Sequence, residues 1–271
     1  MTRFSDRIGV TLPPSLARDG MPPELRTALW NLLHGLLFED TELYDAWRTS
    51  IVREFYSYHH LPLDQVQLSR SSQQMALSKW WFDERRRWWE FYNTIDHLSS
   101  PLQAKQEHFR RRCNEVFAFE GSRFRFVGTE LTEITDRNET AAVDEALALP
   151  DKFSGAREHI ATALRLLAQR PEPDYRNSIR ESISAVESTL KVLTGMVNAP
   201  LGDALKAFSR SQPIHGALFS GLGSLYGYSS NEHGIRHALI EADANVGFAE
   251  AKFMVVACAA FVNFLIIKGA V

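Results

Sequence analysis

In "SSNEHGIRHALIEA", residues 229–242, an arginine and a histidine stand side by side, Arg236 and His237. Ser230 or Asn231 is suited to cap a helix here, which puts the pair within its first two turns. A helix N-terminus favours anions and disfavours imidazolium, so the histidine is held in the form that accepts a proton. An arginine beside it can grip a phosphate through two parallel hydrogen bonds. Base and cation together are what metal-free RNA cleavage needs. One removes the proton of a ribose 2′-OH, and the other stabilises charge gathering on the phosphorane. The same two residues also fit a surface position or a buried structural contact, and spacing alone leaves all three open.

The elements that would position such a pair are helices. In "RNSIRESISAVESTLKVL", Ile179, Ile183, Val186, Leu190 and Leu193 form an apolar stripe. About 100° round the helix runs a polar line of Arg180, Ser184, Glu187 and Lys191, with Glu181 and Ser188 close to it. This line is either the solvated face of an amphipathic helix or one wall of a cleft. In the second case Arg180, Glu181 and Glu187 face the arginine–histidine pair. Further helices are expected over about 200–210, 213–226, 231–241 and 247–268, which together suggest a compact bundle. The prolines of "RPEPDY", residues 170–175, interrupt the helical pattern ahead of it and mark a linker or a tight connection.

The first half also reads as helical. "PPELRTALWNLLHGLLF" starts with prolines suited to a first turn and carries Leu25, Leu29, Leu32, Leu33 and Leu36 at helical spacing. "ALSKWWFDERRRWWEFYNTIDHL" places Trp81, Trp88, Tyr92 and Ile95 on one face of a continuous helix. Its interleaved Arg85, Arg86 and Arg87 suggest either base stacking or core tryptophans with arginines on the wet side. In "RFRFVGTELTEIT" the alternation around Gly128 predicts a small β-hairpin near 122–135. Thr135 or Asp136 then caps a helix, with Glu139 at the capping-box position.

Composition bounds the rest. The chain has 271 residues, a net charge of −3, and 23% charged side chains. That excludes an all-over basic nucleic-acid binder, though not a local basic cleft. Cys113 and Cys258 lie far apart, with no Cys/His spacing suited to a metal, and read as reduced thiols of a cytoplasmic protein. No cofactor is implied. "FMVVACAAFVNFLIIKGAV" is nearly long enough to span a bilayer, but Asn263 and the alanines favour a helix buried in a bundle, and no membrane association is expected.

Several stretches, in this order, resemble bacterial abortive-infection proteins of the AbiJ type: "FSDRIGV", "ELRTALWN", "FRFVGTELTEIT", "YRNSIRESISAVES", "LYGYSSNEHGIRHAL" and "AKFMVVACAAFVNFLI". The resemblance implies a helical N-terminal domain, residues 1–168, with the hairpin. It implies a C-terminal bundle of four to five helices, residues 172–271, of HEPN type (higher eukaryotes and prokaryotes nucleotide-binding). The expected fold class is therefore mainly α.

Many HEPN proteins are metal-independent ribonucleases whose cleft forms across a homodimer. That implies RNA as partner, with tRNA among the candidates, and a toxin role in phage defence alongside a partner protein of the same system. The implied catalytic residues are Arg236, His237, Glu187 and Glu181, supported by Arg180, Asn177, Arg176 and Asn231. This sequence departs from the family pattern, in which a histidine follows an arginine after four to six residues. Arg236 and His237 are adjacent, and Arg176–Asn177 has no histidine in range downstream. A non-catalytic adaptor is the other reading, with Arg236 and Glu187 as a buried ion pair between helices.

Overall fold

The computed structural model describes residues 20–39, 45–102, 105–169, 172–230 and 246–270, excluding the side chains of 228–230. The chain divides by contact into two compact units between Phe126 and Val127. Secondary structure among the described residues is helical apart from one two-stranded hairpin, so the fold is mainly α.

The first unit contains α1 (Pro23–His34), α2 (Asp45–Tyr58), α3 (Arg70–Trp81), α4 (Trp88–Ser99) and α5 (Gln106–Phe119). α1 begins at its prolines and buries Leu25, Leu29 and Leu33, four residues apart. It ends in a π-helical turn, Gly35–Glu39, that buries Leu37 and Phe38. Arg48 and Gln73 are polar yet buried, and Arg48 Nε donates to Gln73 Oε1 at 3.0 Å, tying α2 to α3.

The expected continuous helix through the tryptophans is two helices. α3 stops at Trp81 and α4 starts at Trp88. Local bonds and one distant side chain hold the break open. Arg26 of α1 donates to the Trp81 and Asp83 carbonyls, which a continuing helix would have used itself. Asp83 accepts from the Arg85 amide and guanidinium, and Glu90 reaches back to the Arg87 amide to start α4.

The hairpin forms where the alternation places it. β1 (Arg125–Val127) pairs with β2 (Glu130–Thr132) around Gly128, whose φ is +56°. Within the first unit Phe126 lies against Phe117 of α5, and Asn114 closes a two-way bond with the Phe126 backbone at 2.7 Å each way.

The second unit contains α6 (Arg137–Leu147), α7 (Ser154–Ala168), α8 (Tyr175–Thr194), α9 (Leu201–Ser211), α10 (Gly216–Ser230) and α11 (Phe248–Gly269). Asp136 caps α6 by accepting from the Asn138 and Glu139 amides, while the Glu139 side chain reaches Lys252 of α11 at 2.7 Å. The helix expected over 231–241 falls outside the described residues.

α8 is central and packs on α7, α9 and α11. Ile179, Ile183, Val186 and Leu190 are buried as the stripe predicts. A second buried face was not foreseen: Ser178, Ser182, Ala185 and Thr189, spaced four, three and four. Its hydroxyls lose no hydrogen bonding, because Ser178 donates to the Ala163 carbonyl and Ser182 and Thr189 donate one turn back along α8. These small side chains let α7 come close. A Cβ on Gly155 of α7 would sit 2.6 Å from Ser188 Oγ.

α7 and α8 are the antiparallel arms of a helical hairpin. Asp174 N donates to the Leu166 carbonyl beside its turn, and Ser178 meets Ala163 further along. The described ends of the two helices, Ala168 and Tyr175, thus lie on either side of the proline-marked stretch. α11 is long and apolar enough to cross a bilayer, yet half of it is buried within the unit, against α6, α7 and α8. Asn263 donates from Nδ2 to the Ala142 carbonyl and to Glu145 of α6, 3.0 Å each.

Candidate functional site

The sequence-predicted residues divide into three groups. Arg236, His237 and Asn231 lie outside the described residues. Asn177, Arg180 and Glu181 share one rim of α8, beside α7, and Arg176 precedes them on its first turn. Glu187 is half-buried and makes no ion pair with a described residue. Six residues beyond Glu181, it sits about 120° away round the helix. The structure therefore does not bring Glu181 and Glu187 to one edge.

Asp174, the N-cap of α8, orders the rim. It accepts from the Asn177 amide at 3.0 Å and from Asn177 Nδ2 at 2.7 Å. Asn177 Oδ1 in turn accepts from Arg180 Nη1 at 3.0 Å. The exposed guanidinium of Arg180 is thus tethered to the first turn through an amide rather than paired with a carboxylate.

The residue that the sequence reading missed is His159. Its Nδ1 lies 2.7 Å from Glu181 Oε2, across the seam between α7 and α8. Both side chains are accessible, at 39% and 31%. A carboxylate can only accept, so Nδ1 carries the proton in the neutral imidazole and Nε2 presents its lone pair. Nε2 has no hydrogen bond to a described residue. A carboxylate-oriented histidine with an open ring nitrogen is the arrangement of a general base. The signal for it was the turn: in a helical hairpin, residues equally far from the connection face each other, and 159 and 181 are equally far from 170.

In the first unit, the arginine–tryptophan stretch makes internal contacts. Trp80 and Trp81 are buried, so neither can stack on a base. Arg86 lies over Trp80 at 4.7 Å and pairs with Glu90 at 3.0 Å. Behind them Thr94 donates to the Glu90 carbonyl, so its oxygen accepts from His59 Nε2 at 2.9 Å. Burial, reinforced by the Arg86 charge, pushes the His59 pKa down to about 4. Cys113 and Cys258 are free and buried, and burial raises both thiols, Cys258 to about 12. Neither is a poised nucleophile. Among the described residues no His, Cys, Asp and Glu cluster could hold a metal ion.

The family model AbiJ N-terminal domain 4 matches residues 2–149. The chain belongs to the AbiJ N-terminal domain 4 family. Membership makes it an AbiJ-type abortive-infection protein and points to a role in cellular defence. The AbiJ match runs through the hairpin and α6 and stops before α7, so the His159–Glu181 rim lies beyond it. No curated protein and no solved structure matches the chain.

Proposed function

We propose that this AbiJ-type protein acts in phage defence as a toxin that cleaves RNA without a metal, through a HEPN-like bundle formed by the second unit. His159 is the base, acting through Nε2 on a ribose 2′-OH. Glu181 fixes its tautomer and stabilises the imidazolium that forms. Arg180 supplies the cation for the phosphate, and Arg236 and His237 remain candidates for the same cleft. Cleavage leaves a 2′,3′-cyclic phosphate and a 5′-hydroxyl. The 2.7 Å His159–Glu181 contact carries this reading, because it pairs an accessible base with an orienting carboxylate. The test is incubation of the purified protein with total bacterial RNA in excess chelator, with 5′-hydroxyl ends mapped. An RNA pool left intact by the wild type, with or without phage lysate, overturns the ribonuclease reading.

The cleft is proposed to complete itself in a homodimer. Apolar side chains stand in solvent on this unit: Phe253 and Ile267 of α11, 57% and 63% exposed, and Leu218 of α10. A stable dimer would bury on the order of 1,600 Å² in total. The same exposed side chains favour the second reading, an adaptor that docks another protein of the defence system and cleaves nothing. Sedimentation at micromolar concentration, followed by the RNA assay on the dimer fraction, separates the two.

A further inference from the structure

Within the first unit, α1 and α5 together line a cleft of about 580 Å³, well within the size range of small-molecule sites. Each wall is a helix face. α1 and its π-helical turn contribute Leu32 and Leu36, both half-buried although they lie next to the buried run of leucines. α5 contributes Val116, also half-buried, with the buried Phe109 ring behind it. The π-helical turn starts at Gly35, where an added Cβ would meet only Glu39 Oε2, at 3.8 Å, so the backbone itself lies open to the cleft. Such turns recur at functional sites.

The charged lining residues among those described are cationic. Lys105, the N-cap of α5, and His108 and Arg112 within it line the cleft at spacings of three and four, and no carboxylate is among its described lining residues. Arg112 gives Nη1 to Glu115 at 2.6 Å, and its other N–H groups have no hydrogen bond to a described residue. His108 Nδ1 sits 3.1 Å from Arg111 Nη2, which can only donate, so Nδ1 accepts and Nε2 carries a hydrogen outward. Among the described residues Glu39 is the acidic group beside that open backbone, and His34 Nδ1 lies 3.2 Å from its Oε1. An apolar slot beside a row of cationic donors suits a ligand that is flat and apolar at one end and multiply anionic at the other.

We infer that this cleft binds a free nucleotide, its base against Leu32, Leu36 and Val116 and its phosphates on Lys105, His108 and Arg112. The site is separate from the proposed cleavage rim and gives the first unit an input of its own. Calorimetric titration of the full chain, in chelator, with AMP, GMP, UMP and ADP tests it, with adenosine and inorganic phosphate as the two halves. At least one nucleotide should bind saturably, and each half should bind about tenfold more weakly or worse. Arg112→Glu should weaken that nucleotide by about tenfold or more, and Leu32→Trp should fill the slot and do the same. Arg53→Glu, the same charge change on the exposed surface of α2, should leave binding unaltered. No saturable heat from any nucleotide up to about 1 mM overturns the inference. So does equal weakening by Arg112→Glu and Arg53→Glu, or phosphate binding as tightly as the nucleotide. These outcomes stand whether or not the protein cleaves RNA.

Discussion

Glu181 Oε2 meets His159 Nδ1 at 2.7 Å midway along the α7–α8 hairpin, where both side chains reach solvent. Pairs this exposed contribute at most about 1 kcal/mol to stability. Chemistry and folding can therefore be separated here. His159→Ala should lower RNA cleavage by about 10²- to 10⁴-fold and leave the melting temperature nearly unchanged. Glu181→Gln should fall between the two, because an amide can still accept from Nδ1 but cannot balance an imidazolium. Parallel melts and cleavage assays check both, and full activity in His159→Ala removes its catalytic role.

Arg236 and His237 form the comparison pair. If they share the cleft, His237→Ala abolishes cleavage and Arg236→Lys, which keeps the charge but loses the fork, is badly impaired. A fully active His237→Ala assigns the chemistry to the hairpin rim alone. A loss of folding in Arg236→Ala, by about 3–5 kcal/mol, would instead mark a buried ion pair.

His59 makes the first unit sensitive to mild acid. Its pKa is about 4 when folded against 6.5 when unfolded, so between those values the unfolded chain binds the extra proton. Stability is complete above pH 6.5 and declines as pH falls toward 4. Because the ring is partly solvated, the loss should be on the order of 1 kcal/mol. Thermal melts from pH 7 to 4 should show the slope, and His59→Phe should flatten it.

Gly128 is constrained twice. Its φ of +56° disfavours a side chain, and a Cβ there would lie 2.6 Å from Leu147 Cδ1. Its amide also donates to Asp144, whose carboxyl is raised by burial. Gly128→Ala should cost about 2 kcal/mol, measured by chemical denaturation. A melt equal to wild type would show that Leu147 and the turn relax freely.

Asn263 should tolerate Leu far better than Asp. Leucine loses two bonds to α6, whereas aspartate adds a second carboxylate beside Glu145 in a position only 7% exposed. Asn263→Asp should cost about 3–5 kcal/mol near neutral pH and recover as the pH is lowered toward carboxylate protonation. Denaturation curves at two pH values decide it.

What the sequence disclosed followed local rules. The prolines opening α1, the Asp136 cap, the Gly128 hairpin and the Ile179–Leu190 stripe each depend on a few neighbouring residues. The break between Trp81 and Trp88 does not. The aromatic spacing continues across it, and the carbonyls it frees are satisfied by Arg26, more than fifty residues away. Ser178, Ser182 and Thr189 read as polar, because their burial depends on helix carbonyls that no pattern displays. His159 became visible only once the proline turn fixed which residues of α7 and α8 stand opposite.

The bond from Asn263 to Ala142 spans 121 positions. On the ribosome α6 emerges first, and its apolar face, Val143 and Ala146, is completed by α11. Until that helix is synthesised, the α7–α8 hairpin can close through local contacts while the wall beside it stays bare. A nascent chain stalled before residue 248 would therefore carry a formed hairpin and an exposed sticky face. Chaperone engagement should end when α11 docks, and any activity that depends on the assembled bundle is withheld until synthesis has passed that helix.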